Sequence, residues 1–236
     1  MDQKAFEKAV RAYWVVRKRQ AAKQRTTGNL DAGLRGAVTG GAQMNAMAAL
    51  MESIFVDTGF PRSSIKRGST IELPGYFRPE KKWDLVVVHN ETLAAAIEFK
   101  SQVGPSFGNN YNNRTEEAIG NAVDIWTAYR EGRFGHARPW LGYLFLLEET
   151  PRSTRPVKAR EPFFKIDEEF RDASYARRYE ILCRRLLLER LYDAACFVTS
   201  TQGSRGRVTE PASDLSFETF ARAIRARAAG LLLTEG

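Results

Sequence analysis

Cysteine and histidine are scarce, with two of each in 236 residues. Two cysteines cannot build the disulfide framework of a small secreted domain. Cys183 and Cys196 lie in apolar helix-like and strand-like segments, as buried free thiols of a reducing cytoplasm do. With only His89 and His136, a His/Cys zinc site lacks ligands. No apolar run approaches the roughly 20 residues that span a bilayer. The opening M-D-Q-K-A-F-E-K-A-V mixes acids with bases where a signal peptide would be apolar. Repeats and low-complexity tracts are missing. The glycines at 28, 33, 36, 40 and 41 precede no Gly-Lys-Ser/Thr, so they form no phosphate-cradling Walker loop and read as a connector.

What is present is a composition of 43% hydrophobic and 27% charged residues, enough for one large domain. The net charge of +8 favours a polyanionic partner, nucleic acid or an acidic membrane surface, and charge alone does not separate the two. The most informative stretch is Trp83–Lys100, W-D-L-V-V-V-H-N-E-T-L-A-A-A-I-E-F-K. Apolar runs at 85–88 and 93–97 flank a polar turn at His89-Asn90-Glu91-Thr92, the pattern of a β-hairpin buried on both faces. Side chains alternate along a strand, so Glu98 and Lys100 share a face. A turn centred on Glu91 sets Asp84 opposite Glu98, with Cβ atoms about 5 Å apart. A one-residue slip would part them.

Two close carboxylates favour a shared cation, and oxygen ligands of this kind suit magnesium. A lysine beside them can orient an attacking water and balance charge. The arrangement points to phosphodiester hydrolysis. The plainer alternative is a solvated sheet edge carrying an ordinary Glu–Lys pair, because D-x13-E-x-K also arises by chance.

Asp84, Glu98 and Lys100 resemble the PD-(D/E)-x-K nuclease signature, with Trp83 where the motif has proline. Residues 98–117, E-F-K-S-Q-V-G-P-S-F-G-N-N-Y-N-N-R-T-E-E, are similar to the XhoI-type family of type II restriction endonucleases. G-A-V-T-G-G near residue 36 and W-L-G-Y-L-F-L-L-E near residue 140 extend the likeness over most of the chain. The resemblance implies magnesium-dependent cutting of double-stranded DNA in the cytoplasm, at the palindrome CTCGAG after its first C, beside a cognate DNA methyltransferase. It also implies that Asp84 and Glu98 hold Mg2+, that the Phe99 carbonyl is a further candidate ligand, and that Lys100 positions the water. Helices before the sheet often lend such sites another acid, which makes Glu52 a candidate. One constellation cuts one strand, so double-strand cleavage calls for a two-fold homodimer. The helices at 3–16 and 179–192 are candidate interfaces if their apolar faces exceed what the core needs. A less specific repair or recombination nuclease and a non-enzymatic basic DNA-binding module stay open as alternatives.

In chain order, the expectation is a single α/β nuclease domain, a mixed central β-sheet flanked by helices in a restriction-endonuclease-like core. Its parts are a helical segment at 1–60, a catalytic core at 61–150 and a helix/strand part at 151–236. Periodicity predicts helices at 3–25, 42–57, 113–132, 167–192 and 216–233, and strands at 69–77, 140–147 and 194–200. The 42–57 stripe is Met44, Met47, Ala48, Met51, Ile54 and Phe55. That of 113–132 is Ala118, Ile119, Ala122, Val123, Trp126 and Tyr129. Residues 102–113 read as a loop, with Asn113 as N-cap of a capping box. Loop position before a helix start makes Asn109, Asn110, Asn112, Asn113 and Arg114 candidate base or phosphate readers. Arg205 and Arg207, in a basic loop after the strand at 194–200, are candidate DNA contacts, as are the bases at 17–19, 23 and 25, the glycine loop at 28–41 and the proline-rich loop at 148–165.

Overall fold

A computed structural model describes residues 3–26, 42–68 and 71–233, with side chains omitted at 23–26. The glycine loop and the side chains of Lys23 and Arg25 therefore lie outside the described residues. Helices α1 (Gln3–Thr26) and α2 (Asn45–Asp57) come first. Strands β1 (Ile65–Arg67), β2 (Glu72–Pro74), β3 (Glu80–Lys82), β4 (Leu85–His89) and β5 (Thr92–Gln102) follow. Then come α3 (Phe107–Arg130), β6 (Trp140–Glu148), the single turn α4 (Pro151–Thr154) and α5 (Tyr175–Leu188). β7 (Ala194–Ser200), β8 (Val208–Thr209) and α6 (Phe217–Leu233) complete the described fold.

Six strands form one sheet in the order β1-β4-β5-β6-β7-β8. β5, β6 and β7 run parallel, and the other neighbours pair antiparallel, so the sheet is mixed as expected. Every residue of β6 and β7 is buried, which explains their unbroken apolar sequences: helices cover both faces. Leu85, Val87, Ile97, Phe99, Leu144 and Val198 pack with α1, α2 and α6. Val86, Ala96, Tyr143, Phe145 and Phe197 pack with α3 and α5 on the other face.

The β4–β5 hairpin carries the register that matters most. Asn90 and Glu91 both adopt positive φ, 45° and 60°, the conformation of a two-residue turn matched to strand twist. That turn pairs His89 with Thr92 and Val88 with Leu93. Continued unbroken, this register would leave Asp84 facing position 97. Beyond Val88 the pairing shifts to Val87↔Ala95 and Leu85↔Ile97, so Ala94 is an extra, bulged residue. One step further along, Asp84 faces Glu98. The expected juxtaposition is present, produced by a tight turn plus a bulge.

Several expectations need correction. The segment 102–113 is not mostly loop: α3 begins at Phe107, with Ser106 as N-cap in place of Asn113. Asn-rich sequence favours turns locally, but buried Phe107 stacks on Tyr175 at 5.7 Å between centroids and Tyr111 meets Tyr179 at 5.2 Å, and that packing prevails. The buried stripe of α3 is rotated towards Ile125 and Ala128, leaving Ile119 and Val123 exposed. The strand expected at 69–77 is only β2, paired with β3 in a separate small sheet, and β1 was not anticipated. The helix expected from 167 starts at Tyr175, capped by Ser174; Asp172, at φ 51°, separates it from a preceding 3-10 turn. Of the two candidate interface helices, Phe6, Val10, Tyr13, Trp14, Tyr179, Leu182 and Leu186 are buried in the chain's own core, while Leu188 is exposed. No helix among the described residues is long and apolar enough to cross a membrane.

Candidate active site

Asp84, Glu98 and Lys100 meet where β4 gives way to the C-terminal half of β5. The backbone N–H of Phe99 donates to Asp84 Oδ2 at 2.7 Å, which fixes the carboxylate against the neighbouring strand. In an extended strand a residue's N–H and C=O point to the same side, so the Phe99 carbonyl also faces Asp84. Glu98 is 2% exposed. Lys100 Nζ lies 2.5 Å from Glu98 Oε1 and 3.7 Å from Glu117.

Sequence reasoning missed a second lysine. Lys81, on β3, places Nζ 2.6 Å from Glu98 Oε2, over the Trp83 ring at 4.1 Å. The β2–β3 hairpin that carries it is tied down at its tip. Tyr76 and Phe77 donate backbone N–H groups to Asp124 Oδ1 at 2.8 and 2.9 Å, and Arg78 Nε reaches Asp124 Oδ2 at 2.6 Å. Arg78 also donates to Asn121 Oδ1 at 2.8 Å, and Asn121 donates to Glu98 Oε1 at 3.5 Å. Arg114, Glu117, Asn121 and Asp124 recur at helical three- and four-residue steps, a polar stripe of α3 laid over the face that carries Glu98 and Lys100. Polar residues at core-facing helix positions were the available signal, visible only once α3 had its true phase.

The electrostatics separate the two acids. Burial, reinforced by the charge of Glu98, pushes the Asp84 carboxyl up to about 6, against the Phe99 N–H and the two lysines. Burial also opposes ionisation of Glu98, but the Lys100 and Lys81 ammonium groups hold it below its ordinary value. For Lys100, burial is outweighed by Glu98, and its ammonium is strengthened. For Lys81, burial wins and weakens the ammonium. Asp84 is thus an under-neutralised, half-buried carboxylate beside a fully buried one, both with hard oxygen donors. That donor set fits a divalent cation of the magnesium type.

Glu52 is not brought to this pair. α2 packs on the sheet face opposite Glu98, and Glu52 is engaged there by Arg62 at 2.8 Å and by Arg67. Among the described residues, no three His, Cys, Asp or Glu side chains gather as a metal-ligand cluster.

The family model "Restriction endonuclease XhoI" matches residues 23–210, which include both carboxylates and both lysines. The chain belongs to the XhoI restriction endonuclease family. It is 49% identical over 198 residues to the type II restriction enzyme BstVI of Geobacillus stearothermophilus, covering 80% of this chain and 88% of that one. It is 47% identical over 160 residues to the type II restriction enzyme XhoI of Xanthomonas vasicola, covering 66% of this chain and 64% of the relative. To the type II restriction enzyme AbrI of Azospirillum brasilense it is 46% identical over 172 residues, covering 72% and 77%. No solved structure matches the chain.

In this member of the XhoI family, the candidate DNA readers divide into two groups. Asn109, Asn112 and Asn113 are exposed on the first turns of α3, and Asn110 is half-buried. Arg114 instead turns inward, 2.5 Å from Glu117, and so joins the chain leading to Lys100. Arg205 is exposed in the loop after β7, while Arg207 pairs with Glu149 and keeps much of its side chain in solvent. Buried Glu148, at the end of β6, joins the loops of this sheet edge. It accepts from Gly104 N at 2.8 Å and from Gln202 Nε2 at 2.5 Å. The loops after β5, β6 and β7 therefore share the sheet edge towards which Lys100 lies on β5.

Proposed function

We propose that this chain is a type II restriction endonuclease that cuts both strands of double-stranded DNA at CTCGAG, with magnesium as cofactor. One observation carries the reading: within a chain of the XhoI restriction endonuclease family, a buried and a half-buried carboxylate converge with two lysines towards the C-terminal end of the central strand β5. Asp84 and Glu98 would hold the cation, with the Phe99 carbonyl as a third oxygen on the same side. When bound there, a divalent cation supplies Lewis-acid stabilisation of charge on the reacting phosphate. Lys100, braced between Glu98 and Glu117, orients the attacking water. The Phe99 N–H keeps Asp84 aimed at the site, and Asn121 steadies Glu98. Asn109, Asn112 and Asn113 offer bidentate amides to bases, and Arg205 offers charge to phosphate. The active species is a two-fold homodimer acting in the cytoplasm, with a methyltransferase protecting the host's own sites.

The test is a digest of a plasmid carrying one CTCGAG site and of a plasmid with that site altered, with and without Mg2+. One linear product from the first plasmid alone supports the reading. A smear from both would make the protein a less specific nuclease, and binding with no cleavage would make it a DNA-binding module.

A further inference from the structure

Both oxygens of Glu98 carry an ammonium group. Lys100 is 2.5 Å from Oε1 and Lys81 is 2.6 Å from Oε2. The Lys81 side chain is 10% exposed and that of Glu98 2%, so this is an enclosed ion cluster with little water to share. With Asp84 ionised, two carboxylates and two ammonium groups sum to zero. A divalent cation added to that cluster would leave an excess charge of two in a desolvated site, an arrangement strongly disfavoured unless an anion enters or an ammonium leaves.

The two lysines are not held alike. Lys100 belongs to the central strand β5 and has a second carboxylate, Glu117, at 3.7 Å. Lys81 comes from outside the main sheet, on a three-residue strand of the small hairpin. Its remaining contacts are the neighbouring carbonyl of Lys82 at 2.8 Å and the face of Trp83. Neither contact requires Glu98. The ammonium of its four-carbon stem lies over the Trp83 ring, and its exposed neighbour Lys82 shows that β3 borders solvent.

We propose that Lys81 is a further active-site residue, a stand-in cation that occupies Glu98 in the metal-free protein and passes to the DNA phosphate when Glu98 takes up the metal. The proposal rests on the nuclease reading above. It makes metal and DNA enter together: phosphate gives Lys81 somewhere to go, and the departure of Lys81 frees an oxygen of Glu98. Asp124, which clamps the hairpin tip, is then a positioning residue for Lys81.

The experiment is a calorimetric titration of Ca2+ into the full chain without DNA, comparing wild type with Lys81→Gln, Lys81→Met and the surface control Lys82→Gln. Removing a competing charge in direct contact with Glu98 should tighten Ca2+ binding at least about tenfold in the Lys81 variants, and about twofold or less in the control. In parallel, the increase in affinity for a CTCGAG duplex on adding Ca2+ should shrink in the Lys81 variants, because one source of coupling is gone. Folded Lys81 variants that bind Ca2+ no tighter than wild type would overturn the proposal. Failure of both to fold would also overturn it, by making the lysine structural. Wild-type digests run alongside separate the two readings. Wild type that cuts DNA, with Lys81 variants unchanged in Ca2+ affinity, removes the Lys81 proposal alone; wild type that neither cuts nor binds Ca2+ removes both.

Discussion

Replacing Asp84 with asparagine should stabilise the metal-free protein while abolishing cleavage. The carboxyl sits at about 6 where an isolated aspartate titrates near 3.8. A rise of roughly two units corresponds to about 3 kcal/mol of cost for holding the charge in the folded protein. The sign follows from the two titrations. Below pH 3.8 the group is protonated in folded and unfolded chains alike, and nothing is lost. Between there and about 6 the unfolded chain releases its proton first, so folding loses ground as pH rises. Above about 6 the full cost is present. Asparagine keeps an oxygen for the Phe99 N–H and carries no charge. In EDTA at pH 8 the variant should therefore melt about 6–12 °C above wild type, since 1 kcal/mol moves a domain of this size by about 2–4 °C. The gap should close by about pH 4. With the cognate duplex present, magnesium should raise the melting temperature of wild type further and leave the variant unmoved, because only wild type retains both carboxylates. Scanning calorimetry across pH, with and without Mg2+ and the duplex, reads all of this. A variant less stable than wild type at pH 8, or a difference that ignores pH, would refute the reasoning and make Asp84 a structural acid.

Glu98→Gln should behave in the opposite way. It leaves two part-buried ammonium groups without their carboxylate and should lower stability by about 3 kcal/mol, measured by urea denaturation in EDTA; the two acids, which look equivalent in sequence, thus differ in sign. Magnesium should support cutting and calcium should give specific binding without turnover, read by gel shift and digest, and full cleavage in excess EDTA would exclude the metal mechanism. Replacing a base reader among Asn109, Asn112 and Asn113 with alanine should cost about 1–3 kcal/mol on the cognate duplex and much less on random DNA, whereas Arg205→Ala should weaken both and lower the salt slope. Sedimentation with cognate duplex should show a dimer, and a chain that stays monomeric on DNA and only nicks a one-site plasmid would contradict the two-fold arrangement.

The strand that carries Glu98 and Lys100 was legible because its pattern is local. Alternation along β5 places Glu98 and Lys100 on one face, whatever else the chain does, and β6 and β7 announce themselves by unbroken apolar runs. The bulge at Ala94 was not legible: three consecutive alanines carry no mark of which one drops out of register. Asp84 faces Glu98 only because that alanine is skipped. The start of α3 was misread for the reverse reason, since its asparagines speak locally for a turn while Phe107 and Tyr111 find tertiary partners that overrule them. With that start went the phase of the helix, and with the phase went the stripe of Arg114, Glu117, Asn121 and Asp124. Glu52 was a candidate by analogy of position, but its arginine partners are Arg62, in a 3-10 turn, and Arg67, on the unexpected strand β1.

Trp83 shows how a departure from a motif can carry information of its own. The sequence offers it where the nuclease signature has proline, which reads only as a weaker match. In the structure its backbone N–H donates to the Ile71 carbonyl at 2.9 Å, a bond that proline could not make. That bond ties the start of the β4–β5 hairpin to the segment leading into β2. Its buried ring forms the surface on which the Lys81 ammonium rests. A proline at this position would remove the tie and the platform together. The residue that weakens the motif match thus helps to brace the second lysine beside Glu98, and the signal for Lys81 lay in the tryptophan two residues after it.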